Sequence, residues 1–138
     1  MIREHYAAVK ALVRPGTTVY MWSVPATPSY PYVCLWGDLG NESSGGPDGD
    51  SLEDVPDVLD LRVRATYAGL TGDSVLIVCR NTRVDLNRRT PTVADWAPGK
   101  LRQSSLMDVQ TDTSVTLTGG AHPVFAVDEF ALTSDKAS

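Results

Sequence analysis

The strongest constraint in this 138-residue chain is the strict alternation across residues 58–67. Leu61, Val63, Ala65 and Tyr67 alternate with Asp60, Arg62, Arg64 and Thr66. A period of two places the apolar set on one face of a β-strand and the polar set on the other. Such a strand belongs to a sheet whose apolar face is buried under a second layer. The wet face carries charges of both signs, which discourages unwanted edge pairing.

Two segments supply helices for that layer. In residues 2–13, Tyr6, Val9 and Val13 recur at helical spacing with Ile2 one turn earlier, and Pro15-Gly16 ends the helix. Farther on, Thr71 is an N-cap candidate with Asp73 favourable in the first turn. Val75, Val78, Cys79, Thr82 and Leu86 then fall on one helical face, and Arg80, Arg83 and Asn87 on another. The run Val75-Leu76-Ile77-Val78 alone fits a buried strand equally well. The pattern persists to Leu86, however, so a helix is expected, ending before Thr90-Pro91.

Further strands are expected at 17–23, 32–36, 104–110, 113–118 and 123–132. Pro25, Pro28 and Pro31 break the chain between the first two, and Thr111-Asp112 and Gly119-Gly120 turn it between the last three. The final strand is partly apolar on both faces, so it is central or covered by another subunit. Residues 91–103 read as an irregular loop and 133–138 as a frayed tail. Residues 38–57 read as an acidic flexible loop, either a solvated linker or a segment ordered only by a partner. The expectation is a single α+β domain over 1–138, a mixed/antiparallel β-sheet packed by two helices.

Composition excludes several classes. No stretch approaches the roughly 20 apolar residues of a membrane span, and Met1 to Tyr6 lacks a signal-peptide run. A soluble protein made in a cytoplasm is expected. The net charge of −5 argues against a dedicated nucleic-acid binder. Charge is also segregated. No Lys or Arg lies between Arg14 and Arg62, where Asp38, Glu42, Asp48, Asp50, Glu53, Asp54, Asp57 and Asp60 all fall. From 80 to 102 the balance reverses, with Arg80, Arg83, Arg88, Arg89, Lys100 and Arg102 against Asp85 and Asp95.

No chemical motif emerges. Gly45-Gly46-Pro47 is followed by acids that would repel phosphate, and no GxxxxGK[ST] is present. His5 and His122 lack partners at zinc-ligand spacing, and no serine sits in a GxSxG elbow. Asp48 to Glu53 has the texture of a calcium loop without its ligand spacing. Asp128 and Glu129, adjacent in a strand, face opposite ways and cannot share a proton. Cys34 and Cys79 sit in apolar runs as small hydrophobes. Tyr20, Trp22, Tyr30, Tyr32 and Trp36 interleave with prolines rather than cations, which suits a surface for proteins. No catalytic, cofactor-binding or metal-binding residue is therefore expected.

Five stretches carry a resemblance to a known family: 30–38 (YPYVCLWGD), 60–69 (DLRVRATYAG), 74–86 (SVLIVCRNTRVDL), 98–102 (PGKLR) and 122–130 (HPVFAVDEF). In order and texture, together with the first helix, they resemble the tail terminator (tail-tube completion) proteins of long-tailed phages, especially those infecting actinobacteria. The resemblance implies a hexameric ring of copies that caps the tail tube, stops its polymerisation and joins it to the head connector. It implies a virion protein at the head-proximal end of the tail, made in the host cytoplasm. Its partners would be itself, the major tail-tube protein and the connector or stopper, with DNA passing through the lumen unread and no membrane. It implies no cofactor and no catalytic residue. The alternative within the class is another connector component, a stopper or minor tail protein. A small enzyme would need His5 or His122 in a cleft beside acids. A nucleic-acid module would need Arg62, Arg64, Arg80 and Arg83 in one exposed stripe.

Opposite-sign segments suit a head-to-tail contact between copies. The expected interface sets Asp48, Asp50, Glu53, Asp54 and Asp57 of one copy against Arg80, Arg83, Arg88, Arg89, Lys100 and Arg102 of a neighbour or an adjoining ring.

Overall fold

A computed structural model describes residues 1–43 and 57–137. In chain order the elements are α1 (Ile2–Leu12), β1 (Val19–Met21), β2 (Tyr32–Gly37), β3 (Asn41–Ser43), β4 (Val58–Gly69), α2 (Gly72–Leu86), β5 (Trp96–Pro98), β6 (Arg102–Thr111) and β7 (Val124–Lys136). The strands form one mixed sheet in the order β1-β2-β4-β7-β5, with β3 also beside β4 and β6 also beside β7. Among the described residues only the β1–β2 pair is parallel. The fold is α+β: a seven-stranded mixed sheet and two helices.

The alternating segment becomes β4, a central strand paired along its whole length with β7. Leu59, Leu61, Val63, Ala65 and Tyr67 are buried on the side that also receives Tyr6 and Val9 of α1 and Val75, Val78 and Leu86 of α2. Phe130 and Leu132 of β7 stand opposite Val63 and Leu61 and complete that layer. Cutting Leu61 back to alanine in such a core costs about 2–5 kcal/mol. Gly37 permits the close approach of β2 and α1: a Cβ there would collide with the Arg62 carbonyl oxygen and the Tyr6 hydroxyl. At the far end of β4, Gly69 leaves room for Ser74, which belongs to the Thr71 cap that starts α2. Arg14 then joins the end of α1 to α2 through a two-pronged contact with Asp85.

Four sequence expectations need correction. Residues 113–118 are not a strand. Asp112 Oδ1 accepts hydrogen bonds from Ser114 N and Oγ, and Asp112 N donates to the Pro123 carbonyl, so the chain turns immediately and closes a 112–123 loop. β6 therefore pairs directly with β7. Residues 91–103 are not wholly irregular, because Trp96–Pro98 adds to β7 as β5 and β6 begins at Arg102. The 38–57 segment is not all loop, since Asn41–Ser43 pairs with the start of β4. Nor is 133–138 frayed: β7 continues to Lys136, with Ser134 fully buried.

The last correction has a clear cause. His5 is fully buried, and its Nε2 lies 2.7 Å from the Ser134 hydroxyl. Its Nδ1 lies 2.6 Å from the Met1 carbonyl, an acceptor, so Nδ1 carries the proton and Nε2 accepts from Ser134. Trp96 packs edge-on to the imidazole with ring centroids 5.2 Å apart. One polar pair thus ties α1 to the end of β7, where apolar periodicity has already stopped.

Burial holds His5 below its ordinary value near 6.5, against a smaller opposing effect of the Met1 carbonyl. Below pH 6.5 the unfolded chain takes up a proton that the folded one refuses, so stability is complete above that pH and declines as pH falls toward the depressed folded value. Urea midpoints measured from pH 7.5 down to 5 should fall for the wild type. His5→Gln should begin lower and lose less over the same window.

Candidate assembly interface

Asp128 lies on β7 at the position opposite Ala65, on the side covered by helices, and its side chain is 2% exposed. A bare carboxylate there would be prohibitively costly, so its partners define the surroundings. Arg83 of α2 reaches it with Nε at 2.6 Å and Nη2 at 2.7 Å. The Tyr67 hydroxyl donates at 2.8 Å and Gln103 Nε2 at 3.2 Å. Cys79 Sγ sits 3.7 Å away, and burial followed by the Asp128 charge pushes its thiol up to about 11. The same two causes, in that order, raise the Tyr67 phenol far above its usual range. Both groups stay protonated at neutral pH, so this cluster is a clamp rather than a reactive centre. Arg83, expected at an interface, is bound to Asp128 of its own fold and remains 40% exposed.

The remaining basic residues are exposed. α2 stops at Leu86, and Arg88 turns the chain with a left-handed φ of 63°. Residues 87–89 then run beside 101–103. Arg88 N donates to Leu101 O at 2.8 Å, Leu101 N to Arg89 O at 2.9 Å, and Gln103 N to Asn87 Oδ1 at 3.1 Å. These backbone ties gather Arg88, Arg89, Lys100 and Arg102 into one cluster, and Arg88, Lys100 and Arg102 line a common cleft. Arg80 stands apart on the outer face of α2, beside Leu76 and Val84.

Of the expected acids, Asp48, Asp50, Glu53 and Asp54 lie outside the described residues. Asp57 is exposed, and its backbone accepts from Lys136 N and donates to the Ser43 carbonyl. Asp38 and Asp60 share a groove of about 480 Å³ with Arg62, Lys100 and Arg102, so the two charge segments already meet within one molecule. Asp38 is engaged locally, accepting from Gly40 N and Arg62 N.

The sheet face away from the helices carries a second polar set that sequence reasoning did not assemble. Arg64 lies over the Trp36 ring at 5.2 Å and bonds Glu129 at 3.3 Å, and Trp36 Nε1 donates to Thr66 Oγ1 at 2.9 Å. Arg62 also approaches Glu129, at 3.8 Å. The register Trp36↔Arg64↔Glu129 would have revealed it, but register was not readable from the sequence. Arg62 and Arg64 therefore lie on the opposite side of the sheet from Arg80 and Arg83, and the four form no single stripe. His5 is enclosed, and His122 bonds the Val115 carbonyl at 2.7 Å within the 112–123 loop. Among the described residues no group of three His, Cys, Asp or Glu is placed to hold a metal, and no helix is long and apolar enough to cross a membrane.

No protein-family model and no curated protein matches the sequence. Among solved structures, the chain is similar to a chain of the "Virion of native gene transfer agent (GTA) particle", with a TM-score of 0.50 and 17% identity. The match covers 92% of this chain and 85% of that one. At this identity the likeness is one of fold.

Arg83→Met would leave Asp128 buried without its cation. Because Arg83 is 40% exposed and water can partly replace it, a loss of roughly 2–4 kcal/mol is expected, at or below the usual range for breaking a buried pair. Arg83→Lys should recover only part, since an ammonium cannot reproduce the two-pronged contact. Urea denaturation of the three proteins measures both.

Proposed function

We propose that this chain is a structural assembly protein of a virion and, within that class, a tail terminator. Copies form a ring, six-membered as in the family it resembles, that caps the tail tube, ends its polymerisation and meets the head connector. The observation that carries the reading is the fold likeness, over 92% of this chain, to a chain of a virion particle. The finer role is supported by the order of elements that resembles terminators. No catalytic residue, metal or cofactor is part of it.

The surface charge fits such a role. Arg88, Arg89, Lys100 and Arg102 form an exposed basic cluster on a rigid backbone. Lys100 and Arg102 also share a groove with Asp38 and Asp60 of the same copy, and the counterpart proposed for the cluster is the 48–57 acids of a neighbour. A cyclic ring needs two different patches that meet head to tail, and opposite charges fix their register. Arg83 is tied to Asp128 within its own copy, with 40% of its side chain still exposed beside Arg80. The net charge of −5 suits an inner wall past which DNA slides without sticking.

The direct test is native mass of the purified protein, alone and mixed with tail tubes. Rings, or capped tubes that stop growing, are expected; a monomer that leaves tube growth unchanged would overturn the reading. The double reversal Arg88→Glu with Arg89→Glu alters only exposed side chains. It should leave stability within about 1 kcal/mol of wild type yet weaken ring formation at least tenfold.

A further inference from the structure

Two surfaces beyond the basic cluster are apolar around a single charge. On α2, Leu76, Ile77 and Val84 are 57%, 63% and 54% exposed. Arg80, also exposed, lies four residues after Leu76 and four before Val84, so these side chains share one outward stripe. The core-facing stripe of the same helix is Val75, Val78, Thr82 and Leu86. The outward apolar residues are therefore not part of the core of one copy.

The second surface is on β6. Every residue from Ser104 to Thr111 is exposed, and Leu106, Met107 and Val109 are 48%, 38% and 42% exposed around Asp108. A strand with apolar side chains bare on both faces is unusual in a molecule that stays alone. Its pairing with β7 shifts register between Ser105 and Met107 and again between Met107 and Gln110. Such irregularities twist an edge and blunt strand-to-strand addition. The side chains, rather than the open backbone edge, are what β6 offers.

We propose that these surfaces are the two halves of one contact between copies of this chain: the 106–109 segment of β6 docks on the outer stripe of α2 in the next copy, with Asp108 against Arg80. Each half presents exposed apolar side chains beside one charge, and the charges are opposite. That is the complementarity a heterologous contact requires. The contact rests on the assembly reading above and gives Arg80 a specific partner.

Charge reversal tests it. Arg80→Asp and Asp108→Arg should each weaken self-assembly at least tenfold, read by native mass spectrometry and sedimentation, with far-UV circular dichroism and melting unchanged. An equimolar mixture of the two should assemble again, because every junction then joins opposite charges. Val109→Ser probes the strand independently of charge and should also weaken assembly. Variants that assemble like wild type, or a mixture that fails to recover, would overturn this contact and point to a different virion protein as the occupant. A wild type that never assembles, alone or on tail tubes, defeats the assembly reading itself. One that assembles with all three variants unaffected defeats only the contact.

Discussion

The Asp128 carboxylate is the interaction on which the arrangement of layers depends. A charge buried in the middle of a central strand must be matched by donors that arrive from elsewhere. Here they come from β4 through Tyr67, from α2 through Arg83 and Cys79, and from β6 through Gln103. Hydrophobic burial holds α2 against the sheet but is non-directional and tolerates a helix sliding or rotating slightly. A two-pronged guanidinium contact does not. The apolar stripe of α2 therefore gives affinity for the sheet, and Asp128 gives position.

A similar division appears at the other helix. Tyr6 and Val9 anchor α1 in the core, while the His5–Ser134 bond selects where the end of β7 lies against it. Each helix thus has one buried polar pair to a residue of β7, at Asp128 and Ser134. Those positions share the face of Phe130 and Leu132. β7 carries the polar addresses and β4 the apolar bulk, which is why the two longest strands lie side by side at the centre of the sheet.

What was legible in the sequence follows from this division. Periodicity found β4, both helices and the buried stripe Val75, Val78, Thr82 and Leu86, because those elements are positioned by apolar area. It missed β5, a three-residue strand added to the end of β7, and it missed that end itself and the Arg83–Asp128 bond, because these two depend on polar partners distant in sequence. Ser134 looks like tail and Arg83 like surface until His5 and Asp128 are placed beside them. The false strand at 113–118 is a different kind of error. Its β-branched residues fit a strand, but the Asp112 side chain captures Ser114 and turns the chain before any pairing can begin. For the candidate interface, the segregation of charge was visible, whereas the gathering of Arg88 and Arg89 with Lys100 and Arg102 depended on backbone bonds between the end of the expected helix and a segment that read as loop.

Position matters beyond stability if copies assemble into a ring. A closed ring requires a fixed angle between the two patches each copy presents; a variable angle gives open chains or mixed sizes. The outer stripe of α2 and the exposed part of β6 are separate elements, so nothing in their own local structure sets that angle. The clamp links them. Arg83 is three residues from Arg80 on α2, and Gln103 opens the strand that leads to Asp108, and both end on the same carboxylate. The buried charge at the centre of the fold thereby ties both elements to β7. A hydrophobic isostere at 128, with matching changes at 67, 83 and 103, could yield a stable monomer that had lost that fixed angle.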